Sequence, residues 1–559
     1  MRYFLLLLHL IPITLLSQKS SQLQLIDRIE QKYNWLKIPV KNGASKHKVV
    51  LKVGGDAVRS FDIELALDRV DWYTYINLND WKGEMISIYL DTVLDLAVHH
   101  KLFQQTAQET YSTDLYQEKH RPQFHFSAKK GWLNDPNGLV YYKGEYHLFF
   151  QHNPYGLHWG NMHWGHAVST DLVHWRELEI ALFPDHRGTM FSGSAIVDIS
   201  NSSGLGTLEN PPLLLFYTCA EGTWEQGIAY SLDGRTFQKI SEVAIPKIVP
   251  GNRDPKVIWH EESKKWILTL YVTEEHEQHA VYFFNSDDLR NWKQISTIRG
   301  GRGEDKYLYE CPEFYQLKSD SGMAETKWVL SAVDGSYAIG DFDGMMFKPD
   351  FERLRGNYGR GYYAAQVFNN TPNDIRIEIG WRHTHTAVDG MTFNQSMSIP
   401  MELSMGKRGD MLFVRRNPIA ELTQLRKKKH TWQKQIFNSA MNNPFREISF
   451  GELEIDIDLL PQDKSLFEIN MYGILLSYDQ NTEQLRVDGV VNTIPLIDGR
   501  LKLHLFIDRV GVEIFAQDGE FYIPINKNTN SHSERLSLKV LNGKVICKKL
   551  DVYELSSIW

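Results

Sequence analysis

The chain has 559 residues, more than a single hydrophobic core usually supports, so we expect two or three domains. Hydrophobic residues make up 42% and charged residues 23%, both ordinary for a globular protein. Aromatic residues reach 12%, which suits a strand-rich core as well as stacking on sugars. The net charge of -8 offers no broad basic surface, which argues against a nucleic-acid partner.

The amino terminus has the pattern of a secretion signal. Arg2 supplies a positive charge, an apolar segment runs from Phe4 to Leu16, and the small residue Ser17 marks a cleavage point. The segment is short for a membrane span, and a histidine and a proline interrupt it. No cysteine follows closely, which argues against a lipid-modified amino terminus. We therefore predict a signal peptide over residues 1–17 and a secreted or periplasmic protein with no membrane span in the mature chain.

Residues 23–114 contain short runs that alternate polar and apolar side chains, which predicts a small antiparallel β domain. Two such runs are Lys48–Val53 and Trp72–Leu78. Four aromatic side chains of this region have two open roles, polysaccharide binding or packing, and packing is favoured. They are Trp72, Tyr73, Tyr75 and Trp81.

A turn pattern recurs along the middle of the chain. Ser-x-Asp followed by an aromatic residue begins at Ser169, Ser231 and Ser286, so the copies lie 62 and 55 residues apart, and a weaker copy begins at Gly340. A repeat of this length that contains several short strands matches a four-stranded propeller blade. We therefore predict a five-bladed β-propeller over residues 120–418. Chance similarity among turns is the alternative.

Two further segments follow. Residues 419–429 have the apolar spacing of a helix, which predicts a linker helix. Residues 430–559 again contain short alternating runs, including Leu453–Ile457 and Val510–Phe515, and predict a carboxyl-terminal β-sandwich. The predicted fold class is all-β, with a small β domain, a five-bladed propeller and a β-sandwich in that order.

Two acidic residues stand directly before a proline in the sequence, and a third stands two residues before one. Asp135 stands in Trp-Leu-Asn-Asp-Pro-Asn-Gly, Asp254 in Arg-Asp-Pro, and Glu310 in Glu-Cys-Pro. Because proline pushes the residue before it into extended backbone, we expect Asp135 and Asp254 to be extended. Glycoside hydrolysis needs two carboxyl groups, one to protonate the leaving oxygen and one to attack the anomeric carbon or activate water. Three such acids indicate sugar-cleaving chemistry.

Residues of successive propeller blades meet near the central channel, so acids far apart in sequence can share one site. Asp135, a short acid flanked by amide side chains, suits the nucleophile. Glu310 suits the acid/base, because its longer side chain reaches a leaving group and burial can raise its pKa. Asp254 then holds sugar hydroxyls, with Arg253 beside it to tune the charge.

Four motifs together resemble the signatures of glycoside hydrolase family 32, which contains invertases, inulinases and levanases. They are Trp132–Gly138, Phe191–Ala195, Arg253–Pro255 and Glu310–Pro312, in the order and spacing of that family. The resemblance extends from about residue 120 to the carboxyl terminus, and the preceding region looks like the extra β module of some levanase-like enzymes. It implies a five-bladed propeller, a β-sandwich, and a retaining double displacement on β-D-fructofuranosides without a metal or other cofactor.

The resemblance also implies roles for single residues. Asp135 becomes the nucleophile, Asp254 the transition-state stabiliser and Glu310 the acid/base. Further side chains then line the pocket for a terminal fructose: Asn134, Gln151, Trp159, Phe191, Ser192, Arg253 and, closing the pocket, Trp381. The implied substrate is a fructan or a fructo-oligosaccharide. Exo release of fructose is favoured, since a propeller funnel naturally forms a pocket.

Other interpretations stay open. Endo-levanase activity would need a more open cleft, while an invertase-type sucrose hydrolase or a fructosyl transferase would differ in substrate or acceptor sites. A non-catalytic fructan-binding protein is the alternative of another class, and the presence of all three acids argues against it. Four closely spaced histidines suggest zinc, but no cysteine or carboxylate accompanies them at ligand spacing, so hydrogen-bonding histidines are favoured. They are His158, His163, His166 and His174. The sequence gives no indication of the oligomeric state.

Overall fold

The structure is a computed structural model of the whole chain. It describes residues 23–92, 102–319, 326–388, 390–449, 451–527 and 535–559. The predicted signal peptide lies outside the described residues. Within them, no helix has the length and apolar character needed to cross a membrane. β-Strands dominate, and the 3-10 helices are short: Asn79–Trp81, Glu275–Glu277, Pro372–Asp374 and Ala420–Leu425.

The amino-terminal region forms two antiparallel sheets that enclose a core. Its strands are β1 Gln24–Glu30, β2 Trp35–Val40, β3 Lys46–Val53, β4 Asp56–Glu64, β5 Trp72–Asn77, β6 Met85–Leu90 and β7 Gln104–Thr106. One sheet has the order β1-β6-β3-β4 and the other β5-β2-β7. Side chains along β5 are alternately buried and partly exposed, as the period of a half-buried strand requires. Two residues from beyond the domain, Tyr155 and Leu157, complete its core.

The aromatic side chains of this domain make contacts inside the protein. Trp72 is buried, and its indole donates a hydrogen bond within the domain. The rings of Tyr73 and Trp81 each face a cationic side chain of the same domain. The Tyr75 hydroxyl is hydrogen-bonded at Thr110. These contacts support packing as the role of the four rings.

Five antiparallel sheets follow, one for each blade of a propeller. Blade 1 contains β8 Gly131–Tyr142, β9 Glu145–Asn153, β10 His163–Ser169 and β11 Arg176–Glu177. Blade 2 contains β12 Thr189–Val197, β13 Leu213–Ala220, β14 Gln226–Ser231 and β15 Gln238–Ile245. Blade 3 contains β16 Arg253–His260, β17 Lys265–Glu274, β18 Gln278–Ser286 and β19 Lys293–Arg302. Blade 4 contains β20 Glu313–Lys318, β21 Thr326–Ser331, β22 Ser336–Phe342 and β23 Phe347–Arg355. Blade 5 contains β24 Tyr362–Val367, β25 Arg376–Arg382, the short β27 Ser396–Met397, β28 Met401–Arg408 and β29 Met411–Pro418. The short β26 Phe393–Asn394, which comes from the chain of blade 5, pairs in parallel with β8 at the edge of the blade 1 sheet. The first strands contact one another in the order β8, β12, β16, β20, β24, and β24 contacts β8 again. This closed ring confirms the five-bladed propeller.

The recurring turns connect the third and fourth strands of the blades. In blade 3, Asp288 accepts hydrogen bonds from the backbone N–H groups of Arg290 and Asn291, and the Ser286 hydroxyl donates to the same carboxylate. The corresponding aspartates of blades 1 and 2 accept equivalent backbone hydrogen bonds. The weaker copy, at Asp343, does so in blade 4. The motif recurs because these four blades need the same tight turn, in which the short acid satisfies two backbone donors.

The carboxyl-terminal domain is a sandwich built around two long strands. These 19-residue strands, β32 Leu453–Met471 and β39 Ser537–Leu555, pair along much of their length. The register of β32 shifts after Gln462, where Asp463 and Lys464 have positive φ, and this bulge bends the strand from one layer into the other. The remaining strands are β30 Arg426–Trp432, β31 Gln435–Asn438, β33 Ile474–Asp479, β34 Gln484–Val487, β35 Val490–Thr493, β36 Leu501–Asp508, β37 Gly511–Ala516 and β38 Phe521–Asn526.

The predicted linker helix over residues 419–429 is wrong in its second half. Only Ala420–Leu425 is helical, as a 3-10 helix, and β30 begins at Arg426. Antiparallel pairing of β30 with β39 provides the backbone of this segment with hydrogen-bond partners. The tertiary pairing therefore overrides the local helical spacing.

Buried charges join the propeller to the sandwich. His125 is hydrogen-bonded to Asp508 through Nδ1 at 2.7 Å and to Glu513 through Nε2 at 2.9 Å. Arg382 Nη1 donates to Glu513 at 2.9 Å. All four side chains are fully buried. Burial opposes the positive charge of His125, but hydrogen bonds to the two carboxylates outweigh it and raise the pKa of His125. We refer to His125, Arg382, Asp508 and Glu513 as the interdomain charge cluster.

Candidate active site

The three predicted catalytic acids lie at one end of the propeller channel. Asp135 belongs to the first half of β8, Asp254 is the second residue of β16, and Glu310 stands three residues before β20 begins. These are first strands of blades 1, 3 and 4, which all run in the same direction along the channel. Residues near their beginnings therefore meet at the same mouth.

Cys311 links the two aspartates. Its Sγ lies 3.7 Å from Asp135 Oδ2 and 3.5 Å from Asp254 Oδ2, and its backbone N–H donates to Asp254 Oδ2 at 3.0 Å. Burial and the neighbouring carboxylates raise the pKa of the Cys311 thiol well above its ordinary value, so it stays protonated and can donate. Since Glu310 is the preceding residue, all three acids surround one point. The sequence motif contained Cys311, but nothing in the pattern indicated this bridging role.

A β-bulge aims the carboxylate of Asp135. Asn134 and Asp135 together face the single residue Gln151 of β9. The Ser192 hydroxyl donates to Asp135 Oδ2 at 2.7 Å, and Asn134 Nδ2 donates to Asp135 Oδ1 at 3.1 Å. The pKa of Asp135 is raised to about 6: burial is the main cause, the hydrogen bonds from Ser192 and Asn134 oppose the rise, and the negative charge of Glu310 contributes to it.

Asp254 does not have the extended backbone that its place before a proline predicted. Its φ is +66°, in the left-handed region. A second bulge sets Asp254 and Pro255 against one residue of β17, and the left-handed turn brings the carboxylate to Cys311. Thr218 Oγ1 accepts the Asp254 N–H at 3.0 Å, so the turn leaves no unpaired donor. Such backbone costs about 1–3 kcal/mol and is concentrated at functional sites.

Burial also governs the charge of Asp254. The pKa of Asp254 is raised to about 7, because burial and the negative charge of Glu310 together outweigh the opposing effect of the Arg253 guanidinium. Arg253 Nε is 3.8 Å from Asp254 Oδ2, while its Nη2 donates to Glu310 Oε1 at 2.6 Å. The Arg253 guanidinium thus pairs with both Asp254 and Glu310. We refer to Asp135, Asp254, Glu310 and Arg253 as the channel charge cluster.

Glu310 is held from two sides but keeps contact with solvent. Arg253 binds one carboxylate oxygen, and the Tyr363 hydroxyl donates to the other at 3.1 Å. The Glu310 side chain is 22% exposed. Its backbone and that of Cys311 have positive φ, +54° and +42°. Tyr363 was missed from the sequence, because no motif marks it and only the start of the fifth blade brings it here.

Aromatic side chains form the walls of the mouth. The Phe191 ring makes edge contacts with Trp159 at 5.8 Å and with Trp224 at 6.1 Å. Trp381 does the same with Trp132 at 5.9 Å and with Tyr363 at 6.1 Å. Trp159 remains 46% exposed, which is unusual for so large an apolar side chain. The rings of Trp132 and Trp224 thus contribute to the walls in addition to the three predicted rings, Trp159, Phe191 and Trp381.

The structure therefore brings the predicted site residues together. Asn134, Ser192 and Arg253 contact the carboxylates directly. Gln151 is buried opposite the first bulge, and its Nε2 donates to the carbonyl of Met190, the residue before Phe191. Trp159, Phe191 and Trp381 supply apolar faces. A buried short acid, a longer acid near solvent and aromatic walls can attack a sugar carbon and protonate a leaving oxygen.

The histidine-rich segment lies inside blade 1. His163 and His166 are buried, and burial lowers the pKa of both well below the ordinary value. His147 Nδ1 and His166 Nε2 are 2.9 Å apart, as in a hydrogen bond between neutral rings. Over the described ranges, no three His, Cys, Asp or Glu side chains are grouped so that they could hold a metal ion.

Comparison with known families identifies three matched stretches. The "Glycosyl hydrolases family 32 N-terminal domain" matches residues 125–415, and "Glycosyl hydrolases family 32 C terminal" matches residues 421–554. The "Domain of unknown function (DUF4980)" matches residues 21–125. The matched stretches correspond to the propeller, the sandwich and the amino-terminal sheets.

Individual relatives agree. The levanase of Bacillus subtilis is 36% identical over 494 residues, covering 80% of this chain and 72% of that protein. The extracellular exo-inulinase of Aspergillus awamori is 30% identical over 522 residues, covering 79% and 96%. The crystal structure of exo-inulinase from that organism matches with a TM-score of 0.70 and 29% identity, over 79% of this chain and 100% of the other. The protein is therefore a glycosidase. More narrowly, the chain belongs to glycosyl hydrolase family 32.

Proposed function

We propose that the protein is a retaining β-D-fructofuranosidase that releases fructose from the ends of fructan chains. The observation that carries the proposal is the meeting of Asp135, Asp254 and Glu310 around Cys311 at an aromatic-walled channel mouth. Relatives named levanase and exo-inulinase support fructans as the substrate.

The proposed reaction has two displacements. Asp135 attacks the anomeric carbon and forms a covalent fructosyl-enzyme, while Glu310 protonates the departing oxygen. Glu310 then takes a proton from water, which attacks the same carbon and releases fructose. The hydrogen bonds from Ser192 and Asn134 keep the Asp135 carboxylate aimed during both steps. Asp254 accepts hydrogen bonds from hydroxyl groups of the sugar, with Arg253 beside it.

The remaining predicted residues form the proposed fructose pocket. Asn134, Gln151, Ser192 and Arg253 offer polar groups near the acids. Trp159, Phe191 and Trp381 offer apolar surface to the carbon faces of the ring, an arrangement typical of sugar sites. The three rings around the acids favour a pocket for a terminal sugar and therefore support exo action.

We also infer that the protein is exported. The pattern of residues 1–17 favours a signal peptide, and the similar exo-inulinase of Aspergillus awamori is named extracellular. The signal peptide itself remains a prediction. Amino-terminal sequencing of the protein secreted by its own host would locate the cleavage point.

The activity can be tested on levan, inulin and sucrose, with products followed from the first minutes. We expect fructose alone at early times from a polymer. Early oligosaccharides would instead indicate endo action, and lengthened products at high sucrose would indicate fructosyl transfer. Binding of fructan without any release of sugar would leave a non-catalytic binding protein.

The roles of the two acids need separate variants. Asp135→Asn should abolish the release of fructose. Glu310→Ala should lose activity on substrates with poor leaving groups, and adding azide should restore its turnover. Azide rescues because it attacks a fructosyl-enzyme without needing a general base. Glu261→Gln, an acid on an exposed turn, is the matched control and should retain full activity.

A further inference from the structure

We infer that the amino-terminal domain, whose family match carries no function, positions the substrate-binding loop that bears Trp159. The loop, residues 154–161, connects β9 and β10 of blade 1. The inference rests on the proposed function, in which Trp159 lines the fructose pocket. It assigns the domain to the active site rather than to a separate polysaccharide-binding module.

The first part of the loop is inserted into the core of the amino-terminal domain. Tyr155 and Leu157 are 2% and 3% exposed and pack among its buried apolar side chains. The Tyr155 ring stacks on Phe61 of β4, with centroids 4.0 Å apart. At the start of the loop, Thr74 Oγ1 donates to the Pro154 carbonyl at 2.8 Å. Propeller residues therefore form part of the core of another domain.

The end of the loop is attached to β4, the strand that bears Phe61. Asn161 Oδ1 accepts the Asp62 N–H at 2.8 Å, and Asn161 Nδ2 donates to the Asp62 carbonyl at 2.8 Å. A side-chain amide thus pairs with both backbone groups of one residue, as a neighbouring strand would. Asn161 itself has φ of +47°, a conformation that asparagine tolerates better than most residues.

Trp159 lies between these two attachments and faces the other way. Its ring is 46% exposed and meets Phe191 edge-on at 5.8 Å. The next residue after Phe191 is Ser192, whose hydroxyl binds Asp135. Phe61 in the amino-terminal domain is therefore connected to Phe191 by its stacking on Tyr155, by the loop from Tyr155 to Trp159, and by the contact of Trp159 with Phe191. Ser192 then completes the connection to the proposed nucleophile.

The propeller also contacts the loop, through the side-chain hydrogen bond from Asn161 Nδ2 to Asn153 Oδ1 at 3.1 Å, through the edge contact of the Tyr155 ring with His163, and through the loop backbone. Asn153 Nδ2 donates to the His158 carbonyl at 2.8 Å, and Asn394 Nδ2 donates to the Leu157 carbonyl at 2.9 Å. Without the amino-terminal core, the side chains of Tyr155 and Leu157 would face water. They would then be driven to repack, and Trp159 would move with them.

The decisive variant is Phe61→Ala, which removes the stacking partner of Tyr155. We expect KM for sucrose and for levan to rise about 10-fold, within the range that a displacement of about 1 Å causes, with a smaller change in kcat. Phe61→Leu keeps most of the apolar volume and should restore KM. Ile86→Ala is the matched control. Ile86 is buried in the same core, but it lies on β6, and β3 separates β6 from β4, the strand of Phe61. The KM of the Ile86→Ala variant should stay at the wild-type value.

A double variant separates positioning from general loss of stability. Adding Phe61→Ala to Trp159→Ala should raise KM no further, because the effect of Phe61 passes through Trp159. Independent, multiplying effects would overturn the inference. So would an unchanged KM in Phe61→Ala, or an equal rise in Ile86→Ala.

Limited chymotrypsin digestion examines the loop without reference to activity. Phe61→Ala should be cleaved within residues 154–161 at least several-fold faster than wild type and Ile86→Ala. Equal cleavage rates would overturn the inference. The wild-type protein distinguishes failure of this inference from failure of the proposed function. If the proposed function were wrong, the wild-type protein would release no fructose from levan, inulin or sucrose.

Discussion

The channel charge cluster and the interdomain charge cluster each bring together four ionisable side chains, but their balance of charge differs. At the junction, two carboxylates face one arginine and one histidine. In the channel, three carboxylates are accompanied by one arginine, which pairs with Asp254 and Glu310. The junction is thus close to neutral when His125 is protonated, whereas the channel carries an excess of negative charge.

The pKa values follow this difference. Burial raises the pKa of Asp508 and of Glu513, but His125 and Arg382 outweigh burial and leave both pKa values lowered. Burial likewise raises the pKa of Asp135 and Asp254, and there the charge of Glu310 adds to it. Balanced buried charges hold domains together, while an unbalanced group keeps acids poised to take up protons near neutral pH.

The largest expected effect comes from removing a charge in the channel. Asp135→Asn should lower kcat by about 10⁴-fold or more, as loss of a nucleophile does. The melting temperature should stay the same or rise, because one of three like charges disappears. Steady-state kinetics with levan and differential scanning calorimetry measure the two effects. Retained activity together with a lower melting temperature would assign Asp135 to structure.

The next effect comes from removing a charge at the junction. Arg382→Ala should lower the free energy of unfolding by about 3–5 kcal/mol, because Glu513 loses a buried partner. Denaturant titration measures this loss, and kcat/KM of the folded protein should change little. Arg299→Ala breaks an exposed pair with Glu274 and should cost at most about 1 kcal/mol. Equal losses in the two variants would contradict the comparison.

Much of the fold could be predicted because its determinants are local. Each Ser-x-Asp turn closes through its own side chain, so Asp171, Asp233 and Asp288 mark the blades without any knowledge of the tertiary structure. The catalytic acids could be predicted for a similar reason. Asp135 and Glu310 each stand in a short motif at the beginning of a first strand, and the propeller brings such positions together.

The remainder depends on contacts between distant segments. The left-handed backbone of Asp254 follows from a bulge against β17 and from Cys311, and local proline rules point to the opposite conformation. Tyr363 reaches Glu310 only through closure of the ring by blade 5. The segment after Leu425 is extended because β39 is beside it. None of these partners is near in sequence, so no local pattern indicates them.

A third prediction concerns acid stability at the junction. Because the folded pKa values of Asp508 and Glu513 are depressed, their stabilisation is complete above the unfolded values and is lost as pH falls through the folded ones. The free energy of unfolding should therefore fall on acidification below about pH 4, the ordinary range of carboxylic acids. Asp508→Asn should be less stable at pH 7 and should lose less on acidification. An unchanged pH dependence in this variant would contradict the role of Asp508.

His125 should act in the opposite pH direction. Its folded pKa is raised, so its stabilisation is complete below the ordinary value and is lost as pH rises through the folded value. The junction should therefore be most stable where His125 is still charged and both carboxylates are ionised. His125→Gln should reduce the loss of stability at alkaline pH, which thermal unfolding over a pH series measures.

The smallest expected effect tests how finely the channel acids are tuned. With a pKa of about 6, Asp135 is protonated as pH falls, so kcat/KM should decline below about pH 6. The hydrogen bond from Ser192 lowers this pKa, and Ser192→Ala should therefore move the acid limb upward. A hydrogen bond of about 1 kcal/mol corresponds to a shift of about 0.7 pH units. Ser169→Ala, in a turn of blade 1, should leave the limb in place. If the acid limb instead moved to lower pH in Ser192→Ala, the ionised carboxylate of Asp135 would not depend on the Ser192 hydroxyl. Other groups would then balance the excess negative charge in the channel.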